Sequence, residues 1–168
     1  MKFLDFAKAR YSVRSFSGTP VAQEKIDAIL EAAQIAPTAA NQQPQRIKVV
    51  QSAGDIAKFD LCSPCRYGAP LVFIVCYEST NVIKRVDGGE SSGQVDAAIV
   101  TTHMMLEAHG QGLNSVWVMM FDANKIHEEF GIPENIVPVA ALITGYKTDD
   151  AEPHPFHTDK KPVEAYLI

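Results

Sequence analysis

Leu71-Val72-Phe73-Ile74-Val75-Cys76-Tyr77 is the longest apolar run of the chain, built from β-branched, aliphatic and aromatic residues and one cysteine. The polar alternation of a strand with one wet face is missing, so residues 71–77 read as a strand buried on both faces. Such a strand needs helices on both sides of its sheet. The run is also far too short to span a bilayer as a helix.

Downstream, residues 78–93 are rich in glycine and charge and read as a loop. Gly88, Gly89 and Gly93 match neither G-x-G-x-x-G nor the G-K-[ST] ending, which argues against a Rossmann or P-loop nucleotide site. From about Gln94 to His109 the residues Ala97, Ala98, Ile99, Val100, Met104, Met105, Leu106 and Ala108 predict a helix apolar on nearly all sides, suited to a core or a subunit interface. His103 and His109 on it fit packing or capping better than catalysis. Gly110-Gln111-Gly112 predicts its left-handed end. Residues 113–119 read as the next strand, holding the single tryptophan. Asp122 predicts the cap of a helix running through Ile126 to Phe130, stopped at Gly131-Ile132-Pro133. Val137 to Thr144 completes the strands, with Pro138 tolerated near its start.

Upstream, Ile47 and Val49 alternate with Arg46 and Lys48 as a half-buried strand, and Ser52-Ala53-Gly54-Asp55 opens a short helix. Cys62-Ser63-Pro64-Cys65 leaves three readings open: a redox dithiol, half of a zinc site completed by His154 and His157, or two packed thiols in a turn. Cys76, inside the apolar run, reads as core. Ile26, Ile29, Leu30 and Ala33 place a helix from about Ala22 to Ile35, with Val21 stapled on Ile26. Residues 2–9 read as another short helix, with Phe3 and Phe6 on one face. Loosely alternating helices and strands predict an α+β fold, a mixed α/β sandwich, as a single domain over residues 1–168.

Two loops carry chemistry. In Arg10-Tyr11-Ser12-Val13-Arg14-Ser15-Phe16, an extended backbone would send residues 10, 12 and 14 to one face, converging two guanidiniums and a hydroxyl as for an anion. A solvated basic turn is the plainer alternative. Pro37-Thr38-Ala39-Ala40-Asn41-Gln42-Gln43-Pro44 offers small side chains that admit a flat ligand and amides that bond without charge, or else is a simple connector.

Composition bounds the rest. Hydrophobic residues at 46 % and charged ones at 21 % are ordinary for a globular domain. A net charge of −5 argues against nucleic acid as a partner, so any anion site must be local. No signal peptide or membrane span is evident, and an odd three cysteines fit a reducing compartment; a cytoplasmic location is expected. Beyond Tyr146, residues such as Asp149, Pro153, His154, Pro155, His157 and Pro162 predict no compact element. This tail must find a groove, with a partner subunit the natural host for its apolar end, and Lys160-Lys161 could join Arg10 and Arg14 on one phosphate.

Four stretches together, R-Y-S-V-R-S-F, A-A-Q-I-A-P-T-A-A-N-Q-Q-P, the apolar helix leading into L-N-S-V-W-V, and I-P-E-N-I-V-P-V-A-A-L-I-T-G-Y with its later basic pair, resemble the flavin-dependent nitroreductase family. The resemblance covers most of the chain. It implies a central, mostly antiparallel sheet flanked by helices, and a homodimer with FMN at the interface and an extended C-terminal tail packed on the partner. Arg10, Tyr11, Ser12 and Arg14 would hold the phosphate, ribityl and pyrimidine side, Tyr11 through its backbone, with Lys160 on the phosphate. Pro37, Thr38, Ala39 and Asn41 would come from the other chain, and Val116, Trp117 and Val118 would lie beside the ring. The implied activity is ping-pong: NAD(P)H as co-substrate, then an electron-poor small-molecule acceptor such as a nitroaromatic or quinone, with no dedicated catalytic side chain and no metal. Gln45 departs from the aromatic residue many relatives carry, and the interval between the central strands is short. A flavin-binding dimer without efficient turnover is therefore the alternative.

Overall fold

The computed structural model describes residues 2–168. Strand β2 (Leu71–Glu78) lies inside a four-stranded, wholly antiparallel sheet with β1 (Gln45–Val50), β3 (Asn114–Val118) and β4 (Ile136–Gly145), in the order β1-β2-β4-β3. As its unbroken hydrophobicity required, β2 is covered on both faces. Val72, Ile74 and Cys76 enter one core, and Leu71, Phe73 and Val75 enter the other.

The first core is closed by α3 (Ala53–Cys62) and α5 (Ala123–Phe130), through Phe59, Cys62 and Ile126, together with Val13 and Phe16. The second is closed by α2 (Gln23–Ile35) and α4 (Gly93–Gly110), through Ile26, Ile29, Ala33, Ala97, Val100 and Met104. Helix α1 (Phe3–Ala9) leads the chain and buries no residue of its own. The fold is α+β, as expected from the alternation of elements.

The predicted punctuation holds in detail. Ser52 accepts the Asp55 N–H at the start of α3, and Asp122 accepts those of Asn124 and Lys125 at the start of α5. At the end of α4, Gly112 takes φ +73° and the Leu113 N–H reaches back to the Ala108 carbonyl at 2.9 Å, a Schellman closure. Ala22, whose methyl side chain has no acceptor, caps α2 with no side-chain bond. Pro138 is the third residue of β4, near its start as expected. The register skips one residue there, with Val75 opposite Ala140 and Cys76 opposite Pro138, and β3 pairs only with residues 141–145, so no ladder partner is asked of the missing N–H.

Between Glu78 and Gly93 the chain is a loop, as expected, with one bridge between Lys84 and Ser91. Two expectations need revision. The 37–44 loop contains a 3₁₀ turn, Ala39–Asn41, with left-handed backbone at Ala40, Asn41 and Gln43. The tail, read as having no compact element, forms 3₁₀ turns at Pro155–His157 and Val163–Tyr166. These turns need only local bonds, which the proline spacing permits. Among the described residues no helix is long and apolar enough to cross a membrane.

Candidate functional site

The Arg10–Phe16 segment leaves α1 in extended conformation and runs beside β3. Ser12 bridges Ser115 in parallel, and the Val13 N–H donates to the Ser115 carbonyl at 3.2 Å. With Val13 and Phe16 drawn into the first core, Arg10, Ser12 and Arg14 are turned outward together. They line a cavity of about 450 Å³ with Tyr11, and the tail closes its other side with His154, Phe156, His157 and Lys160. Three fixed cations and two imidazoles thus line one cavity, and no carboxylate does, in a chain whose net charge is −5.

The tail is anchored by this same segment. The Tyr11 hydroxyl donates to the Ala151 carbonyl at 3.2 Å, its ring lies 5.8 Å from that of His157, and Lys147 Nζ sits 5.9 Å from its centroid. His157 Nε2 lies 3.0 Å from the Lys8 carbonyl, so it bears the proton of that bond. The expectation that only the backbone of Tyr11 matters is therefore incomplete: its ring fastens one lip of the cavity. Arg10 is the site's most telling group. Its Nη1 is buried with no hydrogen-bond partner, and burial pulls the guanidinium's pKa below its ordinary value. Arginine stays charged at neutral pH regardless, so a half-buried guanidinium with one unpartnered nitrogen stands at the cavity. Burial and the nearby Arg10 charge likewise lower the pKa of His109, which stacks on Phe6 at 4.8 Å.

The other predicted site residues are placed as follows. Pro37, Thr38, Ala39 and Asn41 line no part of the Arg10 cavity; their turn is held at the start of α4, where the Ala39 N–H donates to Asp96 Oδ1 at 2.8 Å. Within one chain the two motifs are not brought together. Val116 and Val118, 2 % and 6 % exposed, point into the first core, leaving only their backbone for a ligand. Trp117 pairs with Leu142 and so faces the second-core side, half-buried, with its indole Nε1 unpartnered.

The cysteine alternatives fare unevenly. Cys62 ends α3 with its thiol donating to the Lys58 carbonyl at 3.3 Å, and burial, then Glu129 and Asp122, push its pKa up. A dithiol nucleophile needs the opposite shift. His154 and His157 lie on the Arg10 cavity, and among the described residues no three His, Cys, Asp or Glu side chains converge as for a metal. What the sequence reading missed is Asp96 and the lining role of His154, Phe156 and His157. An acid at the head of the apolar stripe of α4 was the available signal for the first; nothing local signalled the second.

Residues 7–61 and 60–146 match the model of the nitroreductase family. Among solved structures, a nitroreductase family protein of Clostridium difficile 630 is 38 % identical, with a TM-score of 0.93 over 100 % of this chain and 98 % of that one. A protein of Methanothermobacter thermautotrophicus, provisionally named an NADH dehydrogenase/NAD(P)H nitroreductase, is 30 % identical over 159 residues, 89 % of this chain and 80 % of its own. A structure from Exiguobacterium sibiricum 255-15, provisionally called a nitroreductase and in complex with FMN, shares the fold at a TM-score of 0.85 and 20 % identity, over 100 % and 97 % of the two chains.

Proposed function

This chain belongs to the nitroreductase family, and we propose that it is an FMN-dependent oxidoreductase that passes hydride from NAD(P)H to an electron-poor acceptor such as a nitroaromatic or a quinone. One observation carries the cofactor: the buried, unpartnered Arg10 Nη1 in a cavity shared with Ser12, Arg14 and Lys160. That donor set suits a phosphate dianion, for which a guanidinium fork and an ammonium are complementary partners. The FMN complex of the Exiguobacterium relative and the NAD(P)H in the name of the Methanothermobacter relative agree with it.

When bound, FMN would supply the hydride-accepting and hydride-donating chemistry, in two alternating half-reactions through one pocket. The residues of the chain bind and orient. Arg10 and Lys160 hold the phosphate, and the Ser12 hydroxyl adds a short, adaptable bond. Arg14, exposed and bonded to the Ser12 carbonyl at a long 3.4 Å, would reach the ring and favour the negative charge that arrives with a hydride. Tyr11 and His157 keep the tail over the cavity.

The site is completed in a homodimer. The Thr38–Asn41 turn stands apart from the Arg10 cavity of its own chain, which is the arrangement expected if it serves the cavity of a second copy. Phe3, Leu4, Phe156, Val163, Tyr166, Leu167 and Ile168 leave apolar surface exposed along α1 and the tail for that copy to cover. The test is stopped-flow absorbance under anaerobic conditions. Loss of the oxidised-flavin band on adding NAD(P)H, then its return with a quinone, is expected; flavin bound but never bleached would instead make the protein a flavin-binding dimer.

A further inference from the structure

Asp96 is a carboxylate only 2 % exposed, at the head of the α4 stripe that continues through Ala97, Val100 and Met104 into the second core. Its Oδ1 accepts the Ala39 N–H at 2.8 Å, and its Oδ2 has no partner. Burying a charge for one hydrogen bond is expensive, and the first turn of a helix offsets only part of that cost. What the bond secures is an unusual piece of backbone. Ala40, Asn41 and Gln43 take φ of 48°, 54° and 50°, left-handed conformations that non-glycine residues keep only where their surroundings dictate them. The Gln43 N–H on Thr38 Oγ1 at 3.0 Å and the Asn81 amide on the Gln42 carbonyl at 2.7 Å tie the rest of the turn, but neither is buried and charged.

We infer that Asp96 is a positioning residue for the flavin: its buried carboxylate holds the Ala39 N–H so that the left-handed turn presents Thr38 and Asn41, already ordered, to the FMN bound in the cavity of the partner subunit. The inference rests on the FMN-dimer reading above. Asp96 acts through the backbone of Ala39 and does not touch the ligand. Preordering matters because a loop that must organise on binding loses affinity to its own entropy.

The experiment compares FMN dissociation constants, read from quenching of flavin fluorescence, for the wild type, Asp96→Leu, Asp96→Asn and Ala39→Pro. Asp96→Leu keeps the shape and removes the acceptor, whereas Asp96→Asn keeps an acceptor oxygen. Ala39→Pro removes the donor and leaves the carboxylate. It suits the site, since Thr38 is extended (φ −133°, ψ 159°) as a residue before proline prefers, and position 39 opens the turn. Asp96→Leu and Ala39→Pro should each weaken FMN binding by about tenfold or more, the effect of losing a charge-assisted bond, while Asp96→Asn, which keeps a neutral acceptor, falls between wild type and Asp96→Leu. If Asp96→Leu does not fold, Ala39→Pro decides. The Tm of the FMN-free protein is measured alongside: a merely structural pin would lower Tm and leave the FMN constant unchanged, which overturns the assignment. Wild-type affinity in both variants also overturns it, with the FMN reading intact. No uptake of FMN by the wild type overturns both.

Discussion

Arg10 shows how far single residues could be read from the sequence and where that stopped. The alternation of Arg10, Ser12 and Arg14 announced one polar face, because extended backbone alternates by simple geometry. That Arg10 Nη1 is buried without a partner, and that the tail from the far end of the chain lines the same cavity, no local pattern encodes. Arg10→Ala and Arg14→Ala are each expected to weaken FMN binding about tenfold to a hundredfold in a fluorescence titration; an unchanged constant would misplace the site. Cys76 makes a different prediction. Burial raises its thiol from 9.0 to about 12, so the unfolded chain releases this proton at lower pH than the folded one. Its contribution to stability is therefore complete below pH 9.0 and is lost as pH rises toward about 12, at up to about 1.4 kcal/mol per pH unit. Urea melts between these limits should show that decline, and a shallower one in Cys76→Ala.

Among the elements, those with strong periodicity or capping chemistry were legible. Strand β2 declared both its covered faces, and Asp122 and Gly112 marked helix ends because their backbone and side-chain needs are local. Asp122→Ala should lower stability by about 1 kcal/mol in thermal melts, through loss of two capped N–H groups. The start of α4 was harder to read. Gly93 lies against Tyr77, and a Cβ there would meet the ring at 2.3 Å, so the glycine serves close packing rather than flexibility. Gly93→Ala is expected to cost about 1–3 kcal/mol by overpacking, seen as a lower urea midpoint at unchanged m. The left-handed turn was illegible because Ala40, Asn41 and Gln43 are not glycines, and the Ala39 N–H at its start is bonded to Asp96, 57 positions away in the chain.

For the whole molecule, the sequence motifs and the fold agree on one architecture, a sheet sandwiched between two helical layers with a family membership that spans nearly all of it. In the sequence the proposed homodimer rests on the family resemblance alone; the structure adds a helix with no buried residue, a tail ending in exposed apolar side chains, and two candidate binding motifs that one chain keeps apart. Light scattering coupled to gel filtration should give twice the mass of the 18.4 kDa chain, and FMN should co-elute with that species. On the function proposed above, this site binds FMN and turns it over. The most direct measurement is the visible spectrum of the FMN-reconstituted protein under anaerobic conditions, before NAD(P)H, after it, and after a quinone. A bound oxidised-flavin band that is lost and then restored is expected; a protein that takes up no FMN, or whose bound FMN is never bleached, would overturn the proposed function.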